Sequence, residues 1–268
     1  MTPLDLPGVT LACVDTVNHA LALRALERSR TDVRFARSVL LTDALPPGLA
    51  APEGVEVETI GRLASRDDYS RFVLKSLRAH VATAHVLLIQ WDGYVVNAQA
   101  FDPAFLACDY IGAKWYWHDD AMRVGNGGFS LRSRKLLDAL QDPHVELVDA
   151  EDVTIGRAFR PLLERDYGIR FASEEIADRF AFEQRSAGAP DRDVFGFVKL
   201  DARVLQRLEQ LPRAQREPAV AHPHRVVEPV PLGADVIAVE ERRVEGARVD
   251  DVAVPLNQQH VRRVDVRQ

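Results

Sequence analysis

Residues 85–89, His-Val-Leu-Leu-Ile, form a near-continuous apolar run that stops abruptly at Gln90, Trp91, Asp92 and Gly93. Successive side chains of a strand point to opposite faces, so a strand that is apolar at every position must be covered on both. This excludes a sheet with one solvated face. It predicts a central strand of an α/β sheet with helices as the covering layers.

The surrounding segments fit that frame. VTLACVD (9–15) and RSVLLTD (37–43) read as strands, and VEVETI (55–60), with alternating polarity, reads as an edge strand. HALALRALERSR (19–30) and DDYSRFVLKSLRAHV (67–81) carry apolar residues at helical spacing, the latter with an acidic first turn that suits the helix dipole. Strands alternating with helices imply a mostly parallel sheet. Further on, GNGGFSLRSRKLLDAL (125–140) reads as a glycine loop, a short strand and a helix. VTIGRAFRPLLERDYG (153–168) reads as a helix with Gly168 at its C-cap, and IRFASEEIADRFAFE (169–183) as a strand with a loop or short helix.

The end of the chain differs. All 11 Phe, 5 Tyr and 3 Trp lie at or before Phe197. Beyond about residue 212 valines alternate with charges and prolines, a pattern that buries only one face of a hairpin. The expected division is a domain over 1–211 and a tail over 212–268, extended or in short β hairpins, contributing little to the stability of the domain.

The net charge of −6 and pI of about 5.8 exclude non-specific nucleic-acid binding by phosphate neutralisation as the main activity. Cys13 and Cys108 sit in apolar stretches and read as buried thiols of a reducing compartment. The start MTPLDLPG has neither a basic nor an apolar leader region, and the apolar runs are too short to span a bilayer, so a cytoplasmic location is expected.

Open α/β sheets bind ligands at the carboxyl ends of their strands. The residues expected there are Asp15, Thr16 and Asn18, then Thr42 and Asp43, then Gln90, Trp91 and Asp92. Asp92 is placed to meet a divalent cation, since Mg²⁺ and Mn²⁺ take a few carboxylates plus substrate phosphates; it equally suits the cap of a turn before Gly93. Gly125, Gly127 and Gly128 around Asn126 let a backbone approach a ligand closely, or simply make a tight turn. Neither the phosphate-binding GxxxxGK[ST] pattern nor GxGxxG is present. Glu151 and Asp152 open a helix, where a carboxylate serves as a general base or as a dipole partner. The run WYWHDD (115–120) offers aromatic faces, Trp115 first, on which a sugar can stack. His19, His80 and His85 read as structural.

Three segments then coincide in order: QWDGYVVN (90–97), DYIGAKW (109–115) with VGNGGFSLRSRK (124–135), and EDVTIGRAFRPLLERDYGIRFASEEIADRFAFE (151–183). With LACVDT, VLLTD and YSRFVLKSL they resemble an uncharacterised bacterial family described as glycosyltransferase-like, of the GT-A type, over about residues 7–197. The resemblance implies a GT-A-like sheet and transfer of a sugar from a nucleotide-diphosphate donor to a hydroxyl acceptor. It implies a metal-assisted donor site near Asp92, with Mn²⁺ or Mg²⁺ there; the strand-end positions add Asp15, Thr16, Asn18, Asp43, Gln90 and Trp91 as expected donor-binding residues. It implies an acceptor side in the Gly125–Arg132 segment, with Asn126, Gly127, Gly128 and Arg132, to which the aromatic run adds Trp115, and a base at Glu151 or Asp152.

Two positions depart from the pattern. An Asp-x-Asp triplet is usual where this chain has Gln90-Trp91-Asp92, and a His is usual where FGFVKL (195–200) has Val198. They leave open metal dependence and a second reading, a catalytically impaired nucleotide-sugar- or carbohydrate-binding module. A third reading is an interaction protein whose Val-rich tail adds a strand to a partner.

Overall fold

The structure, a computed structural model, describes residues 2–115, 117–183 and 194–198. The expected boundary at 211/212 and the tail lie outside the described residues. In chain order the elements are β1 (Leu4–Val14), α1 (His19–Ser29), β2 (Val33–Thr42), β3 (Glu56–Thr59), α2 (Arg66–Arg71), β4 (His85–Ile89), β5 (Tyr94–Val95), β6 (Tyr110–Lys114), β7 (Val124–Ser133), α3 (Arg134–Ala139), α4 (Glu151–Val153), α5 (Arg160–Tyr167), α6 (Glu174–Phe180), β8 (Ala181–Phe182) and β9 (Gly196–Phe197).

The main sheet has the order β3-β2-β1-β4-β7-β6. The first four strands pair in parallel, and β7 runs antiparallel to both β4 and β6. This is a mostly parallel α/β sheet, as the alternation of strands and helices predicts. The apolar run 85–89 is β4, flanked by β1 and β7, with Val86–Ile89 buried. Its period of two sorts the core. Leu11, Cys13, Leu40, Leu87 and Ile89 face Leu23 and Leu26 of α1 and the rings of Phe105, Phe129, Phe180 and Phe195. Ala12, Val14, Val39, Leu41, Val86 and Leu88 face Val73, Leu77, Val81 and Leu137 on the other side. A three-stranded ribbon, β5-β9-β8, lies beyond the end of β4 and is fastened by the edge-on contact of Tyr94 with Phe197, 4.5 Å between centroids.

Several segments differ from their sequence reading. Pairing of β1 with β2 starts at Leu4, ahead of the expected strand, and slips between Leu6 and Thr10, where Pro7 has no N–H to give the ladder. The segment 67–81 is not one regular helix: α2 passes into a wide π turn over Phe72–Ser76 and a tight 3-10 turn over Leu77–His80. The changed winding turns Val73 and Leu77 to the sheet and Leu74 to the cluster around Leu136 and Ile155. The helix expected at 153–168 begins at Glu151, widens over Thr154–Ala158 and ends as α5, with Gly168 left-handed at φ 59° as its cap. In 169–183 the helix is α6; the strand character is confined to a bridge from Phe171 to Tyr110 and to the two residues of β8. Among the described residues, no helix is long and apolar enough to cross a membrane.

The largest correction concerns 125–128, which is not a loop but the first half of β7, a strand buried along its whole length. Its partner β6 loses register around Gly112, where an added Cβ would collide with the Asn126 carbonyl oxygen. Gly112→Ala is expected to cost roughly 1–3 kcal/mol through that collision with rigid backbone. Urea unfolding measures it, and an unchanged midpoint would show that the β6–β7 pair yields freely.

Candidate functional site

β1 and β4 finish together, with Cys13 opposite Ile89, so Asp15 and Gln90 emerge side by side at the carboxyl edge of the sheet. β7 starts at the same edge because it runs the other way, and the Gln90 N–H donates to the Gly128 carbonyl at 3.0 Å. At this edge a cleft of about 480 Å³ opens between the β1–α1 turn, the segment Leu63–Arg66 with Tyr69, and Gln90–Trp91.

Asp15 shapes one wall. Its Oδ1 accepts the N–H groups of Val17 at 2.7 Å and Asn18 at 2.5 Å, and the Asn18 amide reaches Oδ2 at 3.5 Å. This turn launches α1. Thr16 pins the opposite wall, donating its hydroxyl to the Leu63 carbonyl at 3.1 Å and accepting the Leu63 N–H at 3.2 Å. Asp43 does not line the cleft. Its carboxylate is 3.3 Å from His19 Nε2, and its pKa lies below the ordinary range because of the Ala44 N–H first and His19 next. Asp92 is 9% exposed and, unlike Gln90 and Trp91, does not line the cleft. Both Asp15 and Asp92 act on the Cys13 thiol, whose pKa is raised by burial first and by their two charges next.

Next to this wall a second group converges on Gly127 and Gly128. The Gly127 N–H donates to Asp152 Oδ2 and the Gly128 N–H to Asn126 Oδ1, each at 3.0 Å. A Cβ on Gly127 would strike the Glu151 carboxylate, and one on Gly128 would meet Val198 at 2.6 Å and Gln90 Oε1 at 2.9 Å. The glycines therefore serve close approach of side chains, not chain reversal. Glu151 is buried, with its carboxylate on Arg132 Nη2 at 3.0 Å and its N–H on Ser70 Oγ at 3.3 Å. Burial raises its pKa, the Arg132 charge opposing. Asp152 is half-buried and keeps the more accessible carboxylate of the pair.

Tyr69 joins the two groups. It lines the cleft, its hydroxyl accepts from the Gln90 amide at 3.3 Å, and burial followed by the charge of Glu151 pushes its pKa up.

Two expected acceptor residues lie elsewhere. Trp115 is 2% exposed, its ring covered by Gly125 and Gly156, so no face is left for a sugar; Trp117, 63% exposed, is the open indole of that run. Arg132 is fully buried, with Nε on Ser130 Oγ at 3.0 Å and the guanidinium 5.3 Å from the Tyr110 ring centre. It holds Glu151 rather than a ligand. Conversely, Tyr69, Ser70, Leu63 and Arg66 were not picked out by sequence as site residues. The Ser65-to-Asp68 capping bond marks the start of α2 there but not the wall it forms.

Among the described residues, no three His, Cys, Asp or Glu side chains converge to hold a metal ion.

A family model described as a protein of unknown function, DUF5672, matches residues 55–193, just over half of the chain. The chain belongs to that family. The DUF5672 segment contains Leu63–Tyr69, Gln90–Asp92, the glycine strand and Glu151–Asp152, and the β1–α1 wall precedes it. No curated protein matches the chain in sequence. Solved structures similar to it include a glycosyltransferase involved in the glycosylation of the major capsid of PBCV-1, at 11% identity and a TM-score of 0.44 over 78% of this chain and 96% of that one. An active-site mutant of LgtC is similar at 12% identity and a TM-score of 0.46, over 78% of this chain and 99% of that one.

Proposed function

We propose that this chain is a glycosyltransferase that moves a sugar from a nucleoside-diphosphate donor to a hydroxyl acceptor. One observation carries the reading: a cleft at the carboxyl edge of the parallel strands adjoins, through Tyr69 and Gln90, a pair of carboxylates gathered on a glycine strand. The edge is where an open α/β sheet takes a nucleotide. The turn Asp15–Asn18 and the Leu63–Tyr69 segment form the donor side, and Asn126–Gly128 with Asp152 the acceptor side.

In the transfer, the acceptor hydroxyl gives its proton to the Asp152 carboxylate. The oxygen forms a bond to the anomeric carbon, the bond from that carbon to the diphosphate oxygen breaks, and the nucleoside diphosphate leaves. Asp152 suits the base because it is partly open and oriented by the Gly127 N–H. Glu151, buried against Arg132, is the support. The two buried thiols and the absence of a candidate spanning helix among the described residues support a cytoplasmic setting.

Val198 favours a second reading, a binding module without turnover. It presses on Gly128 where the resemblance places a His, and a valine offers neither charge nor hydrogen bond to a leaving diphosphate. Thermal unfolding with a panel of nucleotide sugars separates the outcomes. A ligand at a hundred times its dissociation constant adds about 2.7 kcal/mol to the native state, so a donor is expected to raise the melting temperature by several degrees. Nucleoside-diphosphate release supports transfer, and binding without release supports the module. No shift with any nucleotide sugar removes both.

A further inference from the structure

The charges on the cleft lining are few. Asp15 and Arg66 are the charged residues among those that form its wall, and Asp15 Oδ1 already accepts two backbone N–H groups. A nucleoside diphosphate brings two or more negative charges into this space. No described metal-binding cluster stands ready to meet them. The cation on the wall is Arg66.

Arg66 starts α2 and reaches across to Asp149, two residues before Glu151, with Nη2 3.2 Å from Oδ1. The side chains are 70% and 53% exposed. An ion pair this open is weak, because solvent screens it and two long side chains must be held still. A guanidinium on a phosphate gains two parallel charge-assisted hydrogen bonds, which are stronger and better matched to its planar fork. Exchange of Asp149 for a phosphate is therefore favourable, and it releases Asp149 into water, where it needs no partner.

We propose that Arg66 takes the charge of the donor's diphosphate by exchanging Asp149 for it, and that the cleft binds the donor without a divalent cation. This rests on the donor-site reading above. It replaces the sequence expectation of Mn²⁺ or Mg²⁺ at Asp92 by a side chain already on the wall. It also gives the donor a hold on the segment that carries the carboxylates: once Asp149 is released, Asp149–Asp152 is no longer tied to α2 through Arg66.

Calorimetric titration of the full chain with UDP, GDP, ADP and CDP, and with the matching nucleosides, tests this in EDTA and again in MnCl₂. At least one diphosphate is expected to bind in EDTA with nearly the affinity it has in Mn²⁺. Arg66→Gln should weaken that diphosphate about tenfold or more, the scale of a charge-assisted hydrogen bond, and leave the nucleoside unchanged. Asp149→Asn should strengthen the diphosphate slightly, since its competitor is gone. Binding that vanishes in EDTA, or an Arg66→Gln variant with wild-type affinity, overturns the inference and leaves the donor site standing. No binding of any diphosphate in either buffer overturns both.

Discussion

Asp152→Asn lowers turnover about 10²–10⁴-fold, the usual loss when a general base is removed, while leaving donor affinity and folding near those of the wild type. The amide keeps an oxygen for the Gly127 N–H and gives up only the Val153 N–H that Asp152 Oδ1 accepts at 2.8 Å. It cannot accept the acceptor's proton. Nucleoside-diphosphate release, measured with the donor found by thermal unfolding, checks the rate, and titration of the donor checks binding. A variant that turns over within a few-fold of the wild type would move the base elsewhere, Glu151 being the nearest alternative.

Arg132→Met destabilises the chain by about 3–5 kcal/mol at neutral pH, the range for removing one partner of a buried ion pair. The guanidinium is fully buried between Ser130, Glu151 and the Tyr110 ring, so its loss leaves the buried Glu151 carboxylate without its counter-charge. The pH dependence follows in sign. Burial already raises the Glu151 pKa with Arg132 present, and without Arg132 the main opposing charge is gone. The folded variant then holds a proton that the unfolded chain releases near the ordinary glutamate value of about 4.3. Its stability falls as pH rises from there to the raised folded value, so the deficit is smaller at about pH 5 than at neutrality. Urea unfolding at the two pH values reads this directly. Arg132→Met combined with Glu151→Leu should recover much of the loss, because a matched apolar pair needs no counter-charge. An equal loss for the single and double variants would mean that packing, not the stranded charge, sets the cost.

Much of this was legible in sequence because it is local. The run His85–Ile89 could only be covered on both faces, and it is the strand between β1 and β7. The ends of β1 and β4 could be located to a residue or two, so Asp15, Thr16, Asn18, Gln90 and Trp91 fall on one cleft. Gly168 announced its cap, and the Glu151–Asp152 pair does start a helix beside the glycine segment. What escaped depends on distant approach. A strand with three glycines looks like a turn until Trp115, Glu151, Asp152 and Val198 are seen crowding it from other parts of the chain. Ser70 meets the Glu151 N–H across 81 positions, and Tyr69 reaches Gln90 across 21, with no periodicity to reveal either. Arg132 carries a charge that sequence reading assigns to the surface by default. Its burial follows only from having Glu151 and Tyr110 as neighbours.

The central claim is that a nucleotide-sugar donor occupies the strand-end cleft, next to Asp152. Hydrogen–deuterium exchange of the full chain, with and without the donor that stabilises it, locates the bound molecule without assuming any residue's role. The account predicts slowed exchange over residues 14–18, 63–69 and 90–91, the three stretches that wall the cleft. Slowing confined to another surface, with these stretches unchanged, would contradict it.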